Sequence, residues 1–301
     1  MSRLTVLIAS ALMLICSLPV YAQRGRPVIL LVHGRGMQDR DSASMSKQWI
    51  DALHSGGAAL TRAPAVEDGD VRVVWYADVL DPRSSDGCDY AADDPRAQRA
   101  AKTDVELKQV LAFAGGFINL ISALADDSTA TEIRAIAADA AFLGDSRKRC
   151  AAEARLGAAI DHAKQEGRPI VVVAHSLGAL VAYDYLTART DTGVVERFIT
   201  IGSMAGSADL RRLVIGGDST DAFVVPASVK VWENIRNAND GLAAPLAIGR
   251  DIVTTPSADE PDPHEMAGYL RGSVTAREIL GAWCQADTAD RPRGCIDILA
   301  K

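Results

Sequence analysis

Short, largely apolar runs rich in β-branched residues punctuate the chain: VILLV at 28–32, VRVVWY at 71–76, IVVVA at 170–174, VERFITI at 195–201 and VKVWENI at 229–235, with RDIVTT at 250–255 as a weaker sixth. Strands that read as near-continuous apolar runs belong to a sheet covered on both faces, and such sheets are mostly parallel with helices between the strands. The intervening stretches supply those helices. MSKQWIDALHSGGAAL after the first run and LGALVAYDYLTART after the third carry helical spacing, and another helix is expected near 274–281. The pattern predicts an α/β doubly wound domain, with a mostly parallel central sheet and helices on both faces.

One connection breaks the rhythm. From Asp81 to Arg168 no strand signal appears, and a segment that long carries its own structure or a function. Its centre, ELKQVLAFAGGFINLISALADD, is an apolar helical pattern interrupted by Gly115 and Gly116, followed by Ala-rich amphipathic sequence. The part from about 150 to 166 is expected to lead into the strand at 170 as a helix covering the sheet. What precedes it, about 84–149, reads as a helical cap insertion, with extra core packing as the alternative. The two glycines, Asn119 and Ser122 argue against a membrane span there.

The N-terminus, MSRLTVLIASALMLICSLPVYAQ, has a short positive region at Arg3, an apolar run from Leu4 to Cys16, Pro19, and small residues before Gln23. That is the layout of a secretory signal peptide over 1–22, leaving a domain over 23–301 and an exported, periplasmic or secreted protein. An uncleaved anchor is the competing reading, although the run is shorter than the ~20 residues a spanning helix wants. Export changes the meaning of the cysteines. Without Cys16 there remain Cys88, Cys150, Cys284 and Cys295, an even number for an oxidising compartment, with three pairings available. Pairing by neighbourhood joins Cys88 to Cys150 and Cys284 to Cys295; four unpaired thiols are the alternative. No Cys-x-x-Cys or paired histidine suggests zinc. With 32 Lys and Arg against 39 Asp and Glu, a net charge of −7 and 5% aromatic residues, the composition excludes an ordinary nucleic-acid binder.

Candidate chemistry begins at AHSLG, residues 174–178, seated between the strand IVVVA and the helix LGALVAYDYL. A serine on a tight strand-to-helix turn has its hydroxyl lifted above the carboxyl edge of the sheet, and the turn needs small residues two before and two after it. Here those are Ala174 and Gly178, so the usual G-x-S-x-G pattern is met with one extra methyl. A serine that merely caps the helix is the alternative for Ser176. A serine nucleophile needs a base and an acid to orient it. At the end of the first strand, VHGRG places His33 and Gly34 where they resemble the oxyanion loop of α/β-hydrolases, with His33 shaping the loop rather than serving as base.

The chain thus resembles an α/β-hydrolase of the lipase and esterase type over roughly residues 27–282. The resemblance implies the order Ser, then Asp or Glu, then His. Asp240 falls in the loop after VKVWENI, where the family places its acid, and Asp-Gly is also a turn former; Asp251 is less suitable, at the start of the last strand. Of five histidines, His264 alone follows Asp240, in the acidic loop SADEPDPHEM, with a surface histidine as the alternative. The resemblance implies a serine hydrolase of carboxylic esters, with Ser176 attacking, His264 taking its proton and Asp240 orienting His264. The amides of Arg35 and Leu177 would form the oxyanion hole. No metal or organic cofactor is called for. The expected partner is a small-molecule or lipid ester. Apolar Leu111, Phe113, Phe117 and Leu120 of the cap would suit an acyl chain and a transient contact with a membrane surface. Acyl transfer, thioesterase or amidase action by the same three residues, and a non-catalytic binding module on the same fold, are the competing functions.

Overall fold

The computed structural model describes residues 25–61, 63–81, 83–98, 142–203, 205, 223–248, 250–254, 262–286 and 295. Six strands form one sheet: β1 (Val28–Val32), β2 (Val71–Val74), β3 (Ile170–His175), β4 (Val195–Ile201), β5 (Trp232–Asn237) and β6 (Arg250–Thr254), in the order β2-β1-β3-β4-β5-β6. All neighbouring pairs are parallel, Val32 lying opposite both Val74 and Ala174. Helices α1 (Ser42–Ala58), α2 (Ala77–Leu80), α3 (Ser146–Gln165), α4 (Leu177–Ala188), α5 (Met266–Arg271) and α6 (Ser273–Ala286) accompany it.

The apolar runs of the sequence are apolar because each strand feeds two cores. In β1, Val28, Leu30 and Val32 face Leu156 and Ile160 of α3 and Leu180 of α4, whereas Ile29 and Leu31 join Trp49 and Leu53 of α1, Ile279 and Trp283 of α6 on the opposite face. Every residue of β1 and β3 is buried. The side-chain period of two sends alternate residues to opposite faces, so no position on a central strand is left for a solvated side chain. The two edge strands are the exceptions, β2 with Arg72 and Val73 half-buried and β6 with only Thr254 buried.

Two helices that the sequence pattern did not supply, or supplied with other limits, matter for the site. The helix before β3 begins at Ser146, capped by Asp145, whose carboxylate accepts from the amides of Arg147 and Lys148. It therefore absorbs the last residues of the stretch expected as cap. Helix α5 stands ahead of the one expected at 274–281 and carries Tyr269 under the site. The remainder of the expected cap, including Leu111, Phe113, Phe117 and Leu120, and the expected signal peptide lie outside the described residues.

Both disulfides pair neighbouring cysteines: Cys88 with Cys150, and Cys284 with Cys295. The first ties the segment leaving α2 to the first turns of α3, beside a backbone hydrogen bond from Cys88 to the Arg147 carbonyl. The second closes the end of α6 onto Cys295, which is itself fully buried. Among the described residues no helix is long and apolar enough to cross a membrane.

Candidate active site

The chain lays β1 and β2 on one side of the sheet's middle and then begins β3 on the other side of β1. The carboxyl ends of β1 and β3 therefore border the point where the winding reverses, which is where open α/β sheets leave a crevice for ligands. His33 and Gly34 follow the first of these ends, and Ser176 follows the second.

Ser176 occupies the capping position of α4 yet does not cap it. Among the described residues it is the one non-glycine with a positive φ, at 51° with ψ −122°. A side chain held there is strained, and such strain collects where function over-determines the backbone. The turn is held by two packing constraints. A methyl group at Gly178 would fall 2.3 Å from the His33 carbonyl oxygen, and one at Gly34 would fall 2.9 Å from the Ser176 Cβ. At Ala174 the methyl is accommodated, because that residue points into the core beneath α3 and α4. The departure from a leading glycine is thus absorbed on a face with room for it.

Freed from the helix end, the Ser176 hydroxyl lies 2.9 Å from His264 Nε2. His264 Nδ1 lies 2.8 Å from Asp240 Oδ2, so Nδ1–H donates to the carboxylate and Nε2 is left to accept from the serine. Asp240 uses its two oxygens for two tasks. Oδ1 accepts from the Leu242 amide and shapes the turn that Asp-Gly predicts, while Oδ2 receives His264 and also the Tyr269 hydroxyl at 2.8 Å. The turn former and the partner of histidine are the same residue. Burial pushes its carboxyl up, but hydrogen bonds from His264, Tyr269 and Leu242 together with the charge of His264 outweigh that and hold it below the usual carboxylate value. Asp251, the alternative acid, is engaged elsewhere, with Asn234 and Arg236.

His33 is a different kind of histidine. Its Nδ1–H donates to the Gly34 carbonyl at 2.6 Å, its Nε2 accepts from the Tyr76 amide, and its ring stacks on Tyr76 at 4.0 Å. Burial lowers its pKa to about 4, the Gly34 hydrogen bond only partly opposing. Both nitrogens are consumed in shaping the loop that carries Arg35. His54 sits 3.8 Å from Asp68 and His162 3.3 Å from Glu166. The fifth, His175, lies inside the site and was legible only as the variable residue of the serine motif. Its Nε2–H donates to the His264 main-chain carbonyl at 2.7 Å. Tyr269 also escaped the sequence, because its part is played by a hydroxyl that meets both the Asn237 amide and Asp240.

A central parallel sheet, a strained serine elbow at its winding reversal and helices on both faces define the α/β-hydrolase fold, and the chain has it. Within that class, residues 153–264 match the family model described as lecithin:cholesterol acyltransferase. The match covers over a third of the chain, from α3 to His264, and so includes Ser176, Asp240 and His264 together. No curated protein matches the chain significantly.

Proposed function

We propose that the protein is an exported serine hydrolase that cleaves carboxylic esters, including lipid esters, through an acyl-enzyme. The observation that carries this reading is the continuous hydrogen-bonded chain from Ser176 Oγ through the His264 ring to Asp240 Oδ2. In the first step His264 Nε2 removes the hydroxyl proton as Oγ attacks the ester carbonyl. Asp240, kept ionised by its hydrogen bonds, stabilises the imidazolium and fixes which nitrogen faces the serine. Negative charge develops on the carbonyl oxygen. Leu177 is the first residue of α4, so its amide is among those without a partner inside the helix and lies at the positive end of the helix dipole. That amide and the one of Arg35, in the loop set by His33 and Gly34, would hold the oxyanion. His264 then returns the proton to the departing alcohol. Water, activated by the same nitrogen, releases the acid and restores Ser176.

The match to a family described by acyl transfer favours a second outcome for the same intermediate, namely capture by an alcohol instead of water. The two differ only in the second nucleophile, so the product distribution separates them. Two disulfides fit an oxidising compartment and hence export.

Reaction with a fluorophosphonate probe tests the central claim. The wild-type protein is expected to label stoichiometrically and Ser176→Ala not at all; equal labelling of the two would discard Ser176 as nucleophile. Incubation of the active protein with a phospholipid and a long-chain alcohol then distinguishes free fatty acid from new ester.

A further inference from the structure

We propose that His175 is a positioning residue for His264, holding by its Nε2–H the main chain of the loop that presents the His264 ring to Ser176. The inference rests on the serine-hydrolase reading and extends it to a residue the motif leaves unspecified.

Two successive residues at the end of β3 grip one residue of a distant loop. Ser176 meets the His264 ring at 2.9 Å and His175 meets the His264 carbonyl at 2.7 Å. These links span 88 and 89 residues of sequence and end on adjacent residues of a fully buried strand end. The loop's other described polar ties are local or longer: the His264 amide donates to Asp262, and Asn237 reaches the Pro263 carbonyl at 3.3 Å. The bond from His175 is therefore a short polar link between this loop's backbone and the end of the central strand β3. It refers the position of the base to the same strand that carries the nucleophile.

The choice of histidine is costly, which argues for a purpose. His175 is 6% exposed, and its Nδ1 has no hydrogen-bond partner among the described residues. A buried acceptor left unmade destabilises a fold, and a residue selected for packing alone would be apolar. Space is also tight, since a methyl at Gly34 would come within 2.7 Å of that Nδ1. What the imidazole contributes is a donor without charge. Burial, and next the neighbouring His264, lower its pKa to about 3, so it stays neutral where a Lys or Arg would oppose the imidazolium that forms on His264. The two rings lie 4.8 Å apart, close enough for such a charge to matter.

Three variants of the full-length protein separate positioning from packing. His175→Gln carries an amide N–H close to the place of Nε2. His175→Phe keeps a ring without a donor, and His175→Asn keeps an amide that ends short of the His264 carbonyl. With p-nitrophenyl butyrate, Phe and Asn are expected to lower kcat by about 10–100-fold, the scale set by a misplacement near 1 Å, with KM changed by less than about threefold. Gln should recover most of the loss, and the melting temperature of Phe should change little, because the loss of the unpaired Nδ1 offsets the loss of the bond to the His264 carbonyl. Fluorophosphonate labelling of Ser176 should slow in parallel with kcat. Wild-type kcat in both Phe and Asn would overturn the proposal. So would equal losses in Gln, Phe and Asn that track their melting temperatures. Should Phe fail to fold, the Gln and Asn pair decides by the same criterion. If the wild-type protein itself does not label at Ser176, the hydrolase reading falls and this inference falls with it.

Discussion

Asp240 and Tyr269 show how much of this site depends on single hydroxyls and oxygens. The Tyr269 hydroxyl accepts from the Asn237 amide and donates to Asp240 Oδ2, so Tyr269→Phe removes two bonds and strands a buried amide. A loss of about 1–3 kcal/mol is expected near neutral pH. The sign of its pH dependence follows from Asp240. A carboxylate whose folded pKa is depressed contributes stability above its unfolded pKa, and this is lost as pH falls through the folded value. The gap in melting temperature between wild type and Tyr269→Phe should therefore narrow on acidification below the usual carboxylate range. A gap that is constant from neutral pH to pH ~3 would show that the hydroxyl does not act on the carboxylate. At the elbow, Gly178→Ala drives a methyl to 2.3 Å from the His33 carbonyl oxygen. Backbone is the obstacle, so neither side can yield cheaply, and a cost of about 1–3 kcal/mol or more is expected in chemical denaturation. Fluorophosphonate labelling should fall with it, since β1 and α4 must part.

At the scale of elements, the two disulfides differ in what they hold. Cys88–Cys150 closes a sequence separation of 62 and Cys284–Cys295 one of 11. Loop-closure entropy in the unfolded chain then gives about 4 kcal/mol for the first and about 3 kcal/mol for the second. Replacing Cys88 and Cys150 together by alanine should lower the melting temperature more than replacing Cys284 and Cys295. The reverse order, measured calorimetrically, would mean that burial of Cys295 against α6 outweighs loop length. The long bridge also stands next to an ionic cluster that anchors the segment leaving α2. There Arg96 pairs with Asp94 and with buried Glu153 of α3, and its guanidinium lies over the rings of Tyr90 and Tyr185. Burial, then the neighbouring Asp184 charge, raises the Glu153 carboxyl well above its ordinary value despite Arg96. The segment leaving α2 is thus fastened to the helix that covers the sheet by a disulfide and by the Arg96–Glu153 hydrogen bond.

The whole molecule responds to acid through groups of opposite sign. His33 and His175 have folded pKa values of about 4 and about 3 against 6.5 for the free side chain, so the folded protein refuses protons that the unfolded chain accepts. Each contributes stability in full above pH 6.5 and loses it as pH falls toward its folded value. The titratable groups facing His175 are His264, Asp240, His33 and Tyr269. Glu153 runs the other way, its raised value favouring the folded state in acid. The net slope of the wild type mixes the two, but a variant isolates one. His175→Phe should lose less stability than wild type between pH 7.5 and pH 5. An equal loss would mean that His175 is protonated in the folded protein.

Much of this architecture is legible in the chain before any coordinates. Continuous apolar runs identify the strands, because a parallel strand buried on both faces tolerates no polar alternation, and the weak run at 250–255 reads as weak because β6 lies at an edge. The elbow is legible because a local turn demands local residues, Gly178 above all. Helix α5 was not foreseen: six residues give too short a window for a helical period, and Tyr269 earns its place only through contacts with Asn237 and Asp240. His175 was visible yet uninterpretable, since its partner is a main-chain carbonyl 89 residues away. By itself the sequence determined the strand set and the strand-to-helix position of Ser176, and it narrowed the acid and the base to a shortlist of Asp240 and His264; the cysteine pairing it left open among three arrangements, of which the structure holds Cys88–Cys150 and Cys284–Cys295. Only the tertiary structure decided that Ser176 leaves its helix uncapped to face His264, and that the two oxygens of Asp240 divide between a turn and a ring. It also decided that the His175 ring, beside the serine, reaches the main-chain carbonyl of His264. The reason is that apolar period and turn chemistry act over a few residues, whereas these hydrogen bonds exist only once the order of strands brings their carboxyl ends together.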